Sequence, residues 1–504
     1  MNICTNKAIK LLILSIIILT FTFSACKSED DGLRYGFTTE PTTLNPLKPE
    51  NTADGRSILF NVFEGLVKPN TDGILLPCIG ESWTIDDEGR IYNFTIREDI
   101  YFHDGSVLTV EDVKYSLDTA AEAGFVGLNN VKEVKIISKN QLSIILKDFD
   151  LDFLPYLTTG IVKAGNIDRE KHPIGTGPFC IESYAPQRNL VLKKFDKYRQ
   201  KGLPHLEKIT IVFFANYDSL MVAFRGGSID GAFITGAMAA QLDHRYFDIY
   251  VNRSAAVQIM AINNAIAPFD NLNVRRAINY GINIKGIIDA AFFSQGAPSG
   301  SPIIPGLSVY YEDSLSYPYD PALAETLLAE AGYNDAHRLS LEISVPSNFT
   351  MHVDTAQVIV SQLEKIGVNT RIKLVDWGTW LSDIYFGRHY EATIISLDSS
   401  NVSPRSFLSR YRSDNGSNFI NYNNSDYDRI YDETLTETDR DKRINLYKEA
   451  QKIITEDAAS VFIQDILYFI AFKGGPSAQT GFAGALDYPL YVIDFASLYG
   501  IKNN

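Results

Sequence analysis

A mixed α/β body built of more than one lobe is what this 504-residue sequence predicts. Residues 339–345, 352–366 and 368–375 read as strand, helix and strand, an order that needs a crossover and hence a parallel pair. Elsewhere, runs in which apolar and polar residues alternate, such as 91–96, give way to stretches with apolar residues at helical spacing. Length is the third indication: behind the leader about 479 residues remain, and single cores stop growing near roughly 250 to 300.

The chain starts with Lys7 and Lys10, then the apolar run 11–23, then Ser24 and Ala25, the order of an export signal. The run falls short of the roughly 20 residues that span a bilayer, so removal of residues 1–25 is expected, not anchoring by a helix. Phe23-Ser24-Ala25-Cys26 resembles a lipobox, which makes Cys26 the lipidation residue and 26–32 a polar tether. Without the leader the chain carries 44 basic and 61 acidic side chains, a net charge of −17. Such a surface repels phosphates and argues against nucleic acid as a partner. The 27 Tyr and 29 Phe imply a large body with surface for ligand contact. Cys78 and Cys180 stand in apolar contexts and read as two buried free thiols, with a disulfide between them as the alternative.

In chain order, a short strand opens at Leu33 and is stopped by Pro41 and Pro46. Residues 58–67 place apolar side chains at helical spacing, with Gly65 to close a helix. In 90–117 a strand over 91–96 leads into His103-Asp104-Gly105, whose Asp-Gly step suits a tight turn with positive φ. Thr109, with Asp112 three residues on, then caps a helix. Two alternating runs between Asn129 and Asp148 read as a hairpin around Ser138-Lys139-Asn140. Gly175-Thr176-Gly177-Pro178 reads as a turn where the chain passes between domains; Pro178 and Cys180 spoil any likeness to a dinucleotide loop. Strands follow at 190–195, 209–214 and 232–234, with a helix and turn over 220–230. An apolar strand spans 257–263, and Arg275 and Arg276 beyond it read as structurally paired side chains, not an anion site. Asp320 caps a helix that has Pro321 first and Gly332 past its end. After the strand, helix and strand of 339–375 come a strand at 391–397, a helix over 439–457 and an apolar strand at 461–472.

No catalytic constellation emerges from these patterns. His103, His172, His205, His244, His337, His352 and His389 show no metal-binding spacing, and no nucleophile elbow is present. No catalytic residue, metal site or cofactor is therefore assigned. The chain is not expected to be an enzyme, with a secreted hydrolase as the alternative from that class.

The specific signal is a resemblance. Phe94, Arg97, Phe102, His103, Asp104, Gly105, Thr109, Glu111, Asp112, Val113, Tyr115 and Ser116 match without a gap the signature of the bacterial extracellular solute-binding proteins of family 5, the oligopeptide-, dipeptide- and nickel-binding lipoproteins of ABC importers. Glu40, Pro41, Thr43, Leu44 and Pro46 match another block of that family, as do Phe63-Glu64-Gly65-Leu66, the Gly-Thr-Gly-Pro turn, and Val274 to Ile278. The similarity runs through nearly the whole chain after the leader. It implies a periplasmic-binding-protein-like, two-lobed α/β fold of type II with an extra third subdomain, holding its ligand in the interlobe cleft. Lobe I would comprise 33–70, 171–262 and 476–504, subdomain II 71–170, and lobe III 263–475.

The same resemblance implies capture of di- or oligopeptides for an ABC permease, with a non-peptide solute, an oligosaccharide or metal chelate, as the alternative. In peptide-binding members an aspartate after a strand pairs with the ligand's α-amino group. Asp398 holds the matching place, approached through Ser396 and Leu397, although Ile395 stands where those members have tryptophan and Pro404 lies two residues farther on; a turn acid at the strand end is the alternative for Asp398. Trp377, Trp380, Phe407 and Tyr411 are the aromatic walls that the family layout implies, with core packing as the alternative for each. The expected partners are a peptide or other small solute, permease subunits and, through lipidated Cys26, the membrane. A monomer exported to the periplasm or cell surface is expected.

Overall fold

The computed structural model describes residues 32–48, 51–70, 74–86, 89–125, 127–166, 168–398, 403–475, 477, 480–483 and 493–502. The leader, Cys26 and nearly all of the tether lie outside the described residues. No helix among those described is long and apolar enough to cross a membrane.

One eleven-stranded sheet runs through the molecule, in the order Asn369–Val375, Ser340–Pro346, Ala392–Asp398, Phe247–Ile262, Ser460–Lys473, Gly231–Ile234, Leu33–Phe37, Lys208–Phe213, Asn189–Lys194 and Phe179–Ala185, with Ala297–Pro298 beside Ser460–Lys473. The strands before the two long ones belong to one lobe, and those after them to the other. The long pair is shared. Residues 247–253 pair with 467–473, which also carry Gly231–Ile234 of the first lobe. Past a register break between Arg253 and Val257, residues 257–261 pair with 460–465 and, on the other side, with Ala392–Asp398 of the second lobe. The shared strand begins at Phe247, ahead of the apolar run visible in the sequence, because pairing with 467–473 holds a segment whose own composition does not announce a strand.

Cores on either side of this ribbon define two bodies. Leu33, Tyr35 and Phe37 share one continuous core with Tyr92, Phe94, Val113, Leu117 and Leu142. The latter group lies under a separate four-stranded sheet, ordered Gly80–Ile85, Ile91–Ile96, Gln141–Leu146 and Val131–Ser138. The small subdomain is thereby fused to the first lobe. The second lobe buries Met260, Val274, Ile343 and Leu363 on one face of its sheet, and Ile259, Trp380, Phe407 and Tyr447 on the other.

Local chemistry explains most of the elements. Thr109 gives both its N–H and its hydroxyl to the Asp112 carboxylate, at 2.8 and 2.9 Å, at the start of Val110–Glu122. Asp320 accepts from the Leu323 N–H at 2.9 Å ahead of Pro321–Glu330. Ser340–Pro346, Thr350–Lys365 and Asn369–Val375 form the expected parallel crossover. Arg275 donates to the carbonyls of Phe269, Asp270 and Asp457, and Arg276 to that of Glu456, so the adjacent arginines satisfy the end of Arg440–Glu456.

Two expectations are corrected. Residues 58–67 are not one helix: the helix is Ala53–Phe60, capped by the Thr52 hydroxyl, and Val67–Pro69 is a strand. Gly65 closes no helix; a Cβ there would lie 2.5 Å from the Leu157 carbonyl oxygen, so a bare backbone is needed for the approach of Leu154–Thr158. The second correction concerns the thiols, which are both free. Burial pushes Cys78 up to about 12, but Cys180 is only half-buried because Phe179–Ala185 is an edge strand.

Two motifs that look independent in the sequence are partners. The His103 N–H donates to the Gly175 carbonyl at 2.9 Å and the Gly175 N–H donates to His103 Nδ1 at 3.2 Å. His103 Nε2 therefore carries the proton of the neutral ring and donates to the Gly177 carbonyl at 3.1 Å. The His-Asp-Gly turn is stitched in this way to the segment that leads from the small sheet into the large one. Space there is tight, since a Cβ on Gly175 would sit 2.0 Å from the Val62 carbonyl oxygen. Gly175→Ala is accordingly expected to destabilise the protein by roughly 2 kcal/mol or more, measured by urea unfolding; a change below about 0.5 kcal/mol would show that the stitch yields freely.

Candidate functional site

A cleft of about 410 Å³ lies between the two bodies. Arg56 enters it from Ala53–Phe60 of the first, and Ala256 and Tyr468 from the shared ribbon. The remaining wall comes from the second lobe, where Phe349, His352, Trp377, Trp380, Tyr385 and Arg410 gather around the strand segment Ile395, Ser396 and Leu397.

The aromatic part of that wall is a stack. Asp376 caps the short helix Trp377–Thr379 by accepting from the Thr379 N–H at 3.0 Å, and the chain continues as a π-helical turn, Trp380–Phe386. The tighter turn followed by the wider one lays Trp377 flat on Trp380, with ring centroids 5.0 Å apart and planes 4° from parallel. Trp380 is the base of the stack: it is 3% exposed, and its indole N–H donates to Thr393 Oγ1 at 2.9 Å. Trp377 is the top, 39% exposed, with the edge of Phe349 against it at 5.4 Å.

Beside the stack, His352 is held by a chain of buried amides. The Thr355 hydroxyl gives its proton to the Met351 carbonyl, so its oxygen accepts from Gln258 Nε2 at 3.0 Å. Gln464 Nε2 donates to Gln258 Oε1 at 2.9 Å, which fixes the same orientation of the Gln258 amide. The second proton of Gln258 Nε2 then goes to His352 Nδ1, also at 3.0 Å. Burial pushes His352 down to about 4, so the ring is neutral and its proton sits on Nε2. None of the described residues accepts that proton, and the ring borders the cleft.

Electrostatically, the wall offers donors. Arg56 Nη1 donates to the Asn51 carbonyl at 2.8 Å, and no described carboxylate lies within ion-pair distance of it. Arg410, which already has an interaction of its own, and the neutral His352 ring line the cleft beside Arg56 and the aromatic face. The Ser396 hydroxyl is buried at this wall without a partner among the described residues.

Of the residues singled out in the sequence, Trp377, Trp380, Ser396 and Leu397 are brought together at the cleft. The backbone of Asp398 ends the same strand, in register with Ala256 of the cleft lining; its side chain lies outside the described residues, as does Cys26. Phe407 and Tyr411 are buried in the second lobe's core at 2% and 1% exposure and do not border the cleft. Sequence reasoning missed Arg56, Phe349, His352, Tyr385, Arg410 and Tyr468, because each sits in an element whose pattern packing alone explains. The one legible trace is Gln258 and Gln464, polar residues in the middle of apolar strands.

Residues 75–419 match the family model described as bacterial extracellular solute-binding proteins, family 5 Middle. The heme-binding protein A of Haemophilus influenzae is 26% identical over 443 residues, covering 79% of this chain and 80% of that protein. The glutathione-binding protein GsiB of Salmonella typhimurium is 27% identical over 443 residues, covering 83% and 85%. Among solved structures, the ABC transporter substrate-binding protein CtaP of Listeria monocytogenes superposes with a TM-score of 0.84 at 22% identity, over 93% of this chain and 99% of that one. These likenesses bear out the two-lobed α/β fold.

The buried rings give stability a sign with pH. His103 and His352 both titrate near 4 in the fold, for burial in each case, against about 6.5 in an unfolded chain. The unfolded state therefore binds these protons first, and stability present above pH 6.5 is lost as pH falls toward 4. Asp54 works the other way: burial raises it to about 6, so its protonation favours the fold over part of the same range. Urea unfolding at stepped pH should show a net loss of stability on acidification, and His352→Gln should flatten the slope by about one proton, roughly 1.4 kcal/mol per pH unit. An unchanged slope would mean that His352 is not buried neutral.

Proposed function

The chain belongs to the bacterial extracellular solute-binding proteins of family 5, and from that premise we propose that it captures di- or oligopeptides in its interlobe cleft for delivery to the permease of an ABC importer. The observation that carries this reading is the donor-lined cleft. Arg56 and the His352 ring suit the carboxylate and carbonyl oxygens of a peptide, and the open face of Trp377 suits an apolar or aromatic side chain. Asp398, ending the cleft strand, is assigned the α-amino group, as in the peptide-binding members that the sequence resembles. The task of such a protein is capture and release, without a chemical step on the solute.

The wider assignment follows the same lines. Cys26 carries a lipid that tethers a monomer to the membrane after export. Lobe I comprises 33–70, 171–262 and 476–504, subdomain II 71–170, and lobe III 263–475, with closure of the lobes over the solute. A non-peptide solute is the second reading. It is favoured by the Trp377 face, on which a sugar ring or a flat chelate stacks as readily as a side chain does.

Mass spectrometry of solute released from the purified protein decides between these readings: intact peptides recovered in proportion to protein support the first, and chemically altered solute would overturn binding as the task. For a peptide recovered in this way, titration calorimetry should show Arg56→Ala weakening affinity roughly 10- to 100-fold, the value of a charge-assisted hydrogen bond, and Trp377→Ala roughly tenfold. Asp398→Asn should weaken a peptide with a free amino terminus and leave its N-acetylated form unaffected. Equal losses for both forms would remove Asp398 from that role.

A further inference from the structure

The two bodies also meet outside the cleft. Beyond Gln141–Leu146 the chain of the small subdomain passes through Asp150 and Asp152, and its backbone is tied to its own side. The Tyr92 hydroxyl donates to the Asp150 carbonyl, and the Asp150 N–H donates to the Gly89 carbonyl at 3.2 Å. Both carboxylates face the other lobe. Asp150 Oδ2 lies 2.7 Å from Arg405 Nη1, on Pro404–Leu408. Asp152 accepts the hydroxyl proton of Tyr447 and lies 4.0 Å from Arg443 Nε, both on Arg440–Glu456.

This junction is largely buried, although the Arg405 side chain is still 27% exposed. The Asp150 and Asp152 side chains are 4% and 11% exposed and that of Arg443 is 9% exposed. Arg443 donates from Nη1 to the Glu437 carbonyl of its own lobe at 3.0 Å, whereas its Nε, 4.0 Å from Asp152, has no hydrogen-bond partner among the described residues. Phe153, Tyr156 and Leu157, next to the aspartates, belong to the first body's core, whereas Phe407, Leu408 and Tyr447 belong to the second's. The charged groups thus sit between two interiors and can be separated without opening either one.

Such a contact is strongly two-state. Apart, the carboxylates and guanidiniums are hydrated; together, each pays for the loss of water by meeting its partner, and either one buried alone is heavily disfavoured. We propose that Asp150 and Asp152, with Arg405, Arg443 and Tyr447, form a latch that holds the two lobes together without any contribution from a solute. Every group in it belongs to this chain. Arg405 lies between the cleft strand Ala392–Asp398 and the cleft residue Arg410, so the latch and the cleft wall share one short segment. Closure, and with it apparent affinity, then depends on residues that never touch the solute.

The test needs no ligand and does not depend on the solute being a peptide. Nitroxides at Lys139→Cys and Lys285→Cys, exposed positions on the two bodies, are introduced on a Cys180→Ser background. Pulsed electron-spin distances are then measured on intact protein that has been unfolded and refolded to strip solute. The parent is expected to show a compact population. Arg405→Met and Asp150→Asn should each lower it roughly tenfold or more, and in the double variant the two losses should not multiply. Tyr447→Phe, which removes one hydroxyl, should lower it less, and carries the test should a charge variant fail to fold. One shared distance distribution for the parent and the variants overturns the latch, and so do losses that multiply in the double variant.

Discussion

The structure depends on one antiparallel ribbon, the pairing of Phe247–Ile262 with Ser460–Lys473. A strand in mid-sheet must give hydrogen bonds to both neighbours along its length, and these two have neighbours from different lobes at their two ends. The register break between Arg253 and Val257 falls where the allegiance changes. A break of this kind interrupts the ladder and lets a strand bend. It therefore separates the lobes without cutting the sheet, and it puts Ala256 at the cleft and Gln258 within reach of His352.

That placement makes the cleft wall a product of packing at several levels. Gln258 and Gln464 sit opposite each other on the ribbon, and an unpaired amide in such a strand would be costly. Gln464 donates to Gln258, whose amide is thereby held in one orientation toward His352 at the edge of the cleft, while Gln464 Oε1 is left without a partner among the described residues. Trp380 does similar work on the aromatic side: by anchoring its N–H to Thr393 it offers a rigid floor on which Trp377 lies. Rigid donors and rigid rings lose little freedom on meeting a solute, which is how a modest number of contacts can hold it.

Charge at the cleft runs against charge overall. The chain is strongly acidic, yet the charged side chains described at the cleft are arginines, and acidic groups instead populate the junction around Asp150 and Asp152. Net charge speaks to solubility and to excluded partners, while the solute is chosen by a handful of groups whose local sign can be the opposite. The family match and the two-lobed fold agree with a binding role. The kind of solute is a matter for the cleft.

Much of the fold was legible in the chain. The crossover through Thr350–Lys365, the Thr109 and Asp320 caps and the hairpin of Val131–Ser138 with Gln141–Leu146 follow from periodicity and cap chemistry that act over a few residues. Ile58, Leu59, Val62, Phe63 and Leu66 misled because all are buried at helical spacing although only the first two lie in a helix; burial satisfies the pattern whether a helix or a loop delivers it. At the site, Trp377, Trp380, Ser396 and Leu397 were reachable through resemblance, but His352 and Arg56 were not. The sequence by itself determined the elements, the signature turns and the family. Only the tertiary structure decided that His103 meets Gly175, that His352 meets Gln258 and that Asp150 meets Arg405. Those pairs are far apart in the chain, and no local periodicity carries information across such a gap; they come together only when both partners' elements are packed, and the need to satisfy buried polar groups then fixes which atoms meet.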